Sequence, residues 1–192
     1  GHVDEADGGE PVRTPNFDAL AASGTTFESA YCPFPVCAPS RISTLTGREP
    51  RRCGAWTNGS VLRPGLATLP GAFADAGYRT CLVGKMHFGG SRQYCGFQRR
   101  PFGDLTGKAG HQHPPFPESD GFRRGLRDAG VPGIPESLLQ EYTVVRETVS
   151  FLREHRHANP DQPWFCCASF SRPHSPFTAP RRHYERYLGD AP

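Results

Sequence analysis

Trp164-Phe165-Cys166-Cys167-Ala168-Ser169-Phe170 is an unbroken, largely apolar run, entered through Pro163 and left through Ser171-Arg172-Pro173. A run of this length without alternation reads as a strand buried on both faces, as in a parallel sheet covered by helices. Just upstream, Leu138, Tyr142, Val145, Val149 and Leu152 recur at helical spacing between Pro135-Glu136 and Asn159-Pro160. They predict a long amphipathic helix with that stripe facing the core. The same order, helix then strand, recurs earlier. Thr68 is placed to cap a helix from Leu69 to Ala76, with Pro70 in its first turn and Gly77 at its end, and Tyr78 to Val83 follows as a strand. At the start of the chain, Thr14-Pro15-Asn16 opens a helix with Phe17, Leu20 and Ala21 on one face, and Thr25 to Tyr31 alternates as a short strand. Pro180 to Leu188 reads as a last short helix, and no internal repeat is present. Helices alternating with strands predict an α/β fold, a mostly parallel or mixed central sheet flanked by helices.

Ligands of such sheets bind beyond the carboxyl ends of the strands, and each expected strand runs into an unusual segment. Strand 25–31 leads through Cys32-Pro33-Phe34-Pro35-Val36 to Cys37, strand 78–83 to Gly84-Lys85-Met86-His87, and strand 164–170 to Arg172-Pro173-His174-Ser175-Pro176-Phe177. In Cys37-Ala38-Pro39-Ser40-Arg41-Ile42-Ser43-Thr44-Leu45-Thr46-Gly47-Arg48, Pro39 suits a first helical turn and Gly47 a left-handed stop. Cys37 is thereby expected at a helix N-terminus, where free N–H groups favour an anion, with Arg41 one turn in. Lys85 supplies a point charge for an anionic oxygen, and His87, two residues on, points the same way if the segment is extended. His174 lies between prolines that hold the backbone extended. A histidine there can donate a hydrogen bond or move a proton near neutral pH. Each residue alone also fits a structural role: a buried cysteine, a surface cation, two satisfied loop histidines. Their shared placement at strand ends favours the chemical reading.

Composition sets the bounds. The chain has 192 residues, enough for one substantial core, with 21% charged and 36% hydrophobic residues. Gly 22 and Pro 20 imply many turns, and 88–134 reads as a long ordered excursion. No apolar run approaches a membrane span, and a net charge of +3 does not argue for nucleic acid. The arginine groups at 48/51/52, 99/100, 123/124/127 and 181/182/186 read as solvated surface. The seven cysteines are scattered, without zinc-finger spacing, which argues against a disulfide framework or a structural zinc module. The chain opens Gly1-His2 without Met, so a native start upstream is expected and the compartment stays open.

The Cys37–Arg48 string resembles, position for position, the signature of the sulfatase family (Cys-x-Pro-Ser-Arg-x-x-x-Leu-Thr-Gly-Arg), part of the alkaline-phosphatase-like superfamily. The Gly-Lys-x-His and Pro-His-x-Pro-Phe segments resemble it too, and Gly84-Lys85-Met86-His87-Phe88 is similar to the form in choline-sulfatase and related bacterial members. The resemblance runs from about Thr14 to about Leu188. It implies that Cys37 is oxidised to formylglycine by a formylglycine-generating enzyme and hydrates to a diol that attacks the sulfur of a small-molecule or glycan sulfate ester. It further implies that Arg41 holds the diol, that Lys85 and His174 bind sulfate, and that His87 activates or orients the diol. A divalent metal, usually Ca2+ with Mg2+ or Mn2+ as alternatives, would bind the modified Cys37. The family's carboxylate ligands fall in an Asp-Asp pair before residue 1 and an Asp-Asn or Asp-Gln pair after residue 192. Asp4, Glu5 and Asp7 read as a solvated loop. Residues 1–192 are therefore expected to form a partial catalytic domain with little activity of its own.

Three other readings stay open. A phosphonate monoester or phosphodiester hydrolase would use the same nucleophile. A thiol phosphatase would need Cys-x5-Arg, whereas the arginine here comes at Cys37-x3-Arg41. A non-catalytic, arginine-rich anion-binding homologue would show salt-sensitive binding without turnover.

Overall fold

The structure is a computed structural model that describes residues 13–103, 129–175 and 177–188. The chain divides into two compact units, Gly1–Cys32 and Pro33–Pro192. The first holds α1 (Pro15–Ser23), opened by Thr14, whose hydroxyl donates to the Asp18 carboxylate at 2.8 Å. The strand expected over 25–31 does not form, and its residues are exposed. Alternation makes a strand only where a partner supplies the ladder, and no described residue pairs with this segment.

The second unit is built on three parallel strands: β1 (Arg79–Gly84), β2 (Arg99–Gly103) and β3 (Trp164–Ser169), in the order β2-β1-β3. Its helices are α2 (Cys37–Thr46), α3 (Pro50–Cys53), α4 (Leu69–Asp75), α5 (Gln140–Ala158) and α6 (Arg181–Tyr184). Side chains leave the strands alternately. Leu82, Phe165 and Cys167 join a core with Ile42 and Leu45 of α2, while Cys81, Val83 and Cys166 pack against Val144 and Phe151 of α5. Helices thus cover both faces, as the α/β expectation requires.

Three expectations change. The central strand is β1, buried along almost its whole length, whereas Trp164–Ser169 is half-buried and pairs on one side only among the described residues. On α5 Val144 and Phe151 pack on the sheet and His155 is buried; of the expected stripe, Leu152 packs against the same core, while Leu138, Tyr142, Val145 and Val149 are exposed. Two apolar stripes lie side by side on this helix, and the one containing the bulky Phe151 is buried. Third, β2 carried no strand signal, because Arg99-Arg100-Pro101 is a poor strand sequence. The register explains how it is tolerated. Cys81 faces Arg99 and Val83 faces Phe102, so β2 carries one extra residue there, a bulge that absorbs Pro101. The remainder of the 88–134 excursion has one described pairing, Gly130 with Thr178; its residues 104–128 lie outside the described residues, as do Asp4, Glu5 and Asp7. The last helix is present as α6 and a 3-10 turn over Glu185–Tyr187.

Candidate active site

At the carboxyl end of β1, Gly84 sits in the left-handed region at φ 97, and a Cβ there would lie 2.0 Å from the Ser169 carbonyl oxygen. Only glycine lets the two strand ends come this close. Lys85 follows, its N–H donating to the Ser169 carbonyl at 3.0 Å. Lys85 is 3% exposed and His87 4%. His87 has φ 55, so the segment is not extended through it, and strand alternation is not what brings the two side chains together. Burial first, and then the positive charges of Lys85, Arg41 and His174, push the His87 imidazole down to about 4. It is therefore neutral at neutral pH, and those three groups are near enough to act on it.

Cys37 reaches this edge on a helix, not from a strand. It is the first residue of α2, after Val36 in extended conformation, with Pro39 in the first turn and Gly47 closing the helix at φ 62. Arg41 locks α2 to the sheet. Its Nη1 donates to the Lys85 carbonyl at 3.1 Å and to the Ser169 hydroxyl at 3.3 Å, joining the ends of β1 and β3. Beside it lies a cavity of about 520 Å³ whose lining includes Cys37, Ser40, Arg41, Thr44, Met86 and Ser169. Cys37 is a half-buried free thiol. Lys85, His87 and His174 do not line this cavity; Arg41 connects the two groups.

The His174 loop is fastened to the first turn of α5. Arg172 forms an ion pair with Glu141, donates its backbone N–H to the same carboxylate at 3.2 Å, and holds Thr178 through Nε at 2.6 Å and Nη2 at 2.8 Å. Ser171 donates to Gln140 at 3.1 Å. His174 itself is exposed, and its Nδ1–H donates to the Ser175 carbonyl at 3.0 Å.

Two contributors escaped the sequence reading. Asn58 accepts the Ala38 N–H at 3.1 Å, satisfying one of the free donors at the start of α2. Its loop is tied by Ser60, whose hydroxyl accepts from the N–H groups of Trp56 and Thr57 at 3.0 Å each. Asn58-Gly59 is a turn signal, but nothing local predicts a contact with a helix twenty residues upstream. The Arg172–Glu141 pair is the other, and it too spans distant segments.

The thiol of Cys37 stands at a helix start and opens to a cavity that Arg41 also lines. A divalent metal fits poorly there. Among the described residues, no three of His, Cys, Asp and Glu gather as ligands. None of the described helices is long and apolar enough to cross a membrane.

A family model described as Sulfatase matches residues 5–191. An arylsulfatase of Clostridium perfringens is 34% identical over 206 residues, covering 94% of this chain and 42% of the relative. A choline-sulfatase of Rhizobium meliloti is 31% identical, covering 92% and 36%. The crystal structure of a phosphonate monoester hydrolase of Agrobacterium radiobacter superposes with a TM-score of 0.67 at 24% identity, covering 91% of this chain and 39% of that one, a likeness of fold. The chain thus spans well under half the length of these proteins. With the family model matching nearly end to end, the chain belongs to the sulfatase family.

Proposed function

We propose that residues 1–192 are the part of a catalytic domain that carries the nucleophile and the sulfate grip of a sulfuric ester hydrolase. The observation that carries this reading is the Arg41 contact with the Lys85 carbonyl and the Ser169 hydroxyl. That contact sets Cys37 and the start of α2 beside the buried Lys85–His87 turn. The substrate class is a small-molecule or glycan sulfate ester, and maturation requires a formylglycine-generating enzyme.

Formylglycine at Cys37 would supply a hydrated aldehyde, a nucleophile that can also release sulfate by re-forming its carbonyl. The chain's own residues do the rest. The N–H groups opening α2 and the Arg41 guanidinium favour negative charge beside Cys37. Lys85, removed from water, offers a fixed positive charge to a sulfate oxygen, where it is worth more than in solvent. His87, neutral at working pH, can accept or relay a proton. His174, its Nδ1–H given to the Ser175 carbonyl, can donate to a sulfate oxygen from Nε2–H as the imidazolium, the form in which both ring nitrogens carry a proton. The family's Ca2+, or Mg2+ or Mn2+ in its place, would need carboxylates beyond the described residues.

Full-length protein produced beside a formylglycine-generating enzyme tests the reading. The tryptic peptide Thr14–Arg41 should show Cys37 with H2S lost and one oxygen gained, and the protein should hydrolyse an aryl sulfate faster than an aryl phosphonate. An unmodified thiol, with a control sulfatase converted in parallel, would overturn the mechanism. Faster phosphonate cleavage would move the protein to the phosphonate monoester hydrolases, whose fold it shares.

A further inference from the structure

A second set of buried side chains, none of which lines the cavity, grips the Gly84–Phe88 turn at both ends. We propose that Arg100, acting through Gln93, is a positioning residue for Lys85 and His87. The guanidinium–amide pair fixes the residue before Lys85 and the residue after His87, and so holds both groups at the sheet edge.

The strain in the turn is the first argument. His87 occupies the left-handed region, which a residue with a Cβ adopts at a cost. Such conformations persist where the surroundings over-determine them. The surroundings here are specific. Arg100 Nη2 donates to the Gly84 carbonyl at 3.4 Å, and its Nη1 to the Gln93 carbonyl and side-chain oxygens at 2.7 and 2.9 Å. Gln93 passes the restraint on, its Nε2 donating to the Phe88 carbonyl at 2.9 Å and the Gly90 carbonyl at 2.7 Å. The Arg100 guanidinium also lies 5.5 Å from the centre of the Phe88 ring. One pair of side chains therefore reaches both flanks of the Lys85–His87 segment.

The choice of residues is the second argument. Arg100 is 4% exposed and Gln93 9%. Burying a guanidinium is costly, and an apolar side chain fills a core with less desolvation. What arginine and glutamine add is direction, because their donors reach only carbonyls in the right places. The backbone is adapted to deliver one of them. Arg100 lies in the β2 bulge, and a bulge re-aims the side chains it carries.

That Lys85 and His87 have catalytic work rests on the sulfate-ester reading, whereas the grip on the turn does not. The test is Gln93→Glu in the full-length protein. The carboxylate keeps an acceptor for Arg100 but loses the donor to the Phe88 and Gly90 carbonyls. Amide exchange over residues 84–90 should speed up about tenfold or more with the thermal midpoint nearly unchanged, since only a local opening is eased. At equal formylglycine content, kcat on an aryl sulfate should fall roughly 10- to 100-fold with KM within about twofold, as for misplaced reacting groups. Parent-like exchange, or faster exchange with parent-like kcat, overturns the proposal. If the parent turns over no aryl sulfate, the sulfate-ester reading fails, and exchange alone still decides whether the pair holds the turn. Should Gln93→Glu not fold, Arg100→Lys gives the same two readouts, because one ammonium cannot serve Gly84 and Gln93 together.

Discussion

His87 ties the pH response of the fold to the candidate site. Folding buries it among cations and lowers its pKa from 6.5 to about 4. Between those values the unfolded chain holds a proton that the folded chain does not, so stability falls as pH falls through this window. The contribution is fully present above about pH 6.5 and lost by about pH 4, and amounts to about 3 kcal/mol at most. Urea midpoints should decline from pH 6.5 to 4, and His87→Gln should flatten that decline; equal slopes would remove His87 as its source. Asn58 presents a different single-residue case. Its side chain accepts a helix-opening N–H one residue from Cys37. Asn58→Ala should cost about 1 kcal/mol, as for a lost cap. Asn58→Asp should keep the acceptor and most of the stability, yet raise KM for an anionic substrate by placing a carboxylate at the start of α2, beside the proposed anion site. Unchanged KM in Asn58→Asp would place the bound anion away from the start of α2.

Among the elements, α5 separates what pattern shows from what packing decides. Its length and polarity follow from the sequence, but its buried side does not, because Val144/Phe151 and Val145/Val149 form neighbouring stripes of similar apolarity. The sheet resolves the tie in favour of Phe151, 2% exposed, over Val145, 51% exposed. Phe151→Ala should therefore cost about 3–5 kcal/mol, and Val145→Ser less than about 0.5 kcal/mol. Chemical denaturation of the two variants checks this, and similar losses would mean that both stripes are covered. Caps were legible for the opposite reason. Thr68 accepts the Gly71 N–H at 3.2 Å and Gly47 adopts the left-handed stop, both set by residues within one turn. The 25–31 strand and β2 were misread because pairing, not local sequence, makes a strand. Gly84 stands between these cases. A glycine at a strand end invites attention, but the need for it lies in Ser169, far along the chain. Gly84→Ala should lower the thermal midpoint sharply or prevent folding, since strain at φ 97 adds to a backbone clash. A stable Gly84→Ala protein would show that the strand ends can separate.

Across the whole unit, the candidate site is assembled from three stretches that meet only when the sheet forms: 37–41, 84–88 and 169–174. The motifs named these stretches, and strand direction brought two of them to one edge. The third arrives by α2, and the sequence held no sign of the device that fastens it. Arg41 is that device, because one nitrogen of its guanidinium touches both strand ends at once. A helix and a sheet edge joined through one side chain should behave as coupled parts, which a double-mutant cycle can measure. Arg41→Lys keeps the charge but shortens the side chain, so its nitrogen no longer reaches both strand ends. It should cost about 1–2 kcal/mol, a few degrees in a domain of this size. Ser169→Ala alone should cost less, because the Lys85 carbonyl still receives Arg41. The double variant should be less destabilised than the sum of the two, by about 0.5–1 kcal/mol, since the shorter ammonium side chain no longer holds the Ser169 hydroxyl in place. Additive losses would mean that α2 is held by its apolar face, Ile42 and Leu45 against Leu82, and that Arg41 serves the anion alone. Non-additive losses would show that Arg41 couples α2, which carries the candidate nucleophile Cys37, to the strand ends. The stability of the α2–sheet junction and the rate of the reaction would then fall together across substitutions at that position.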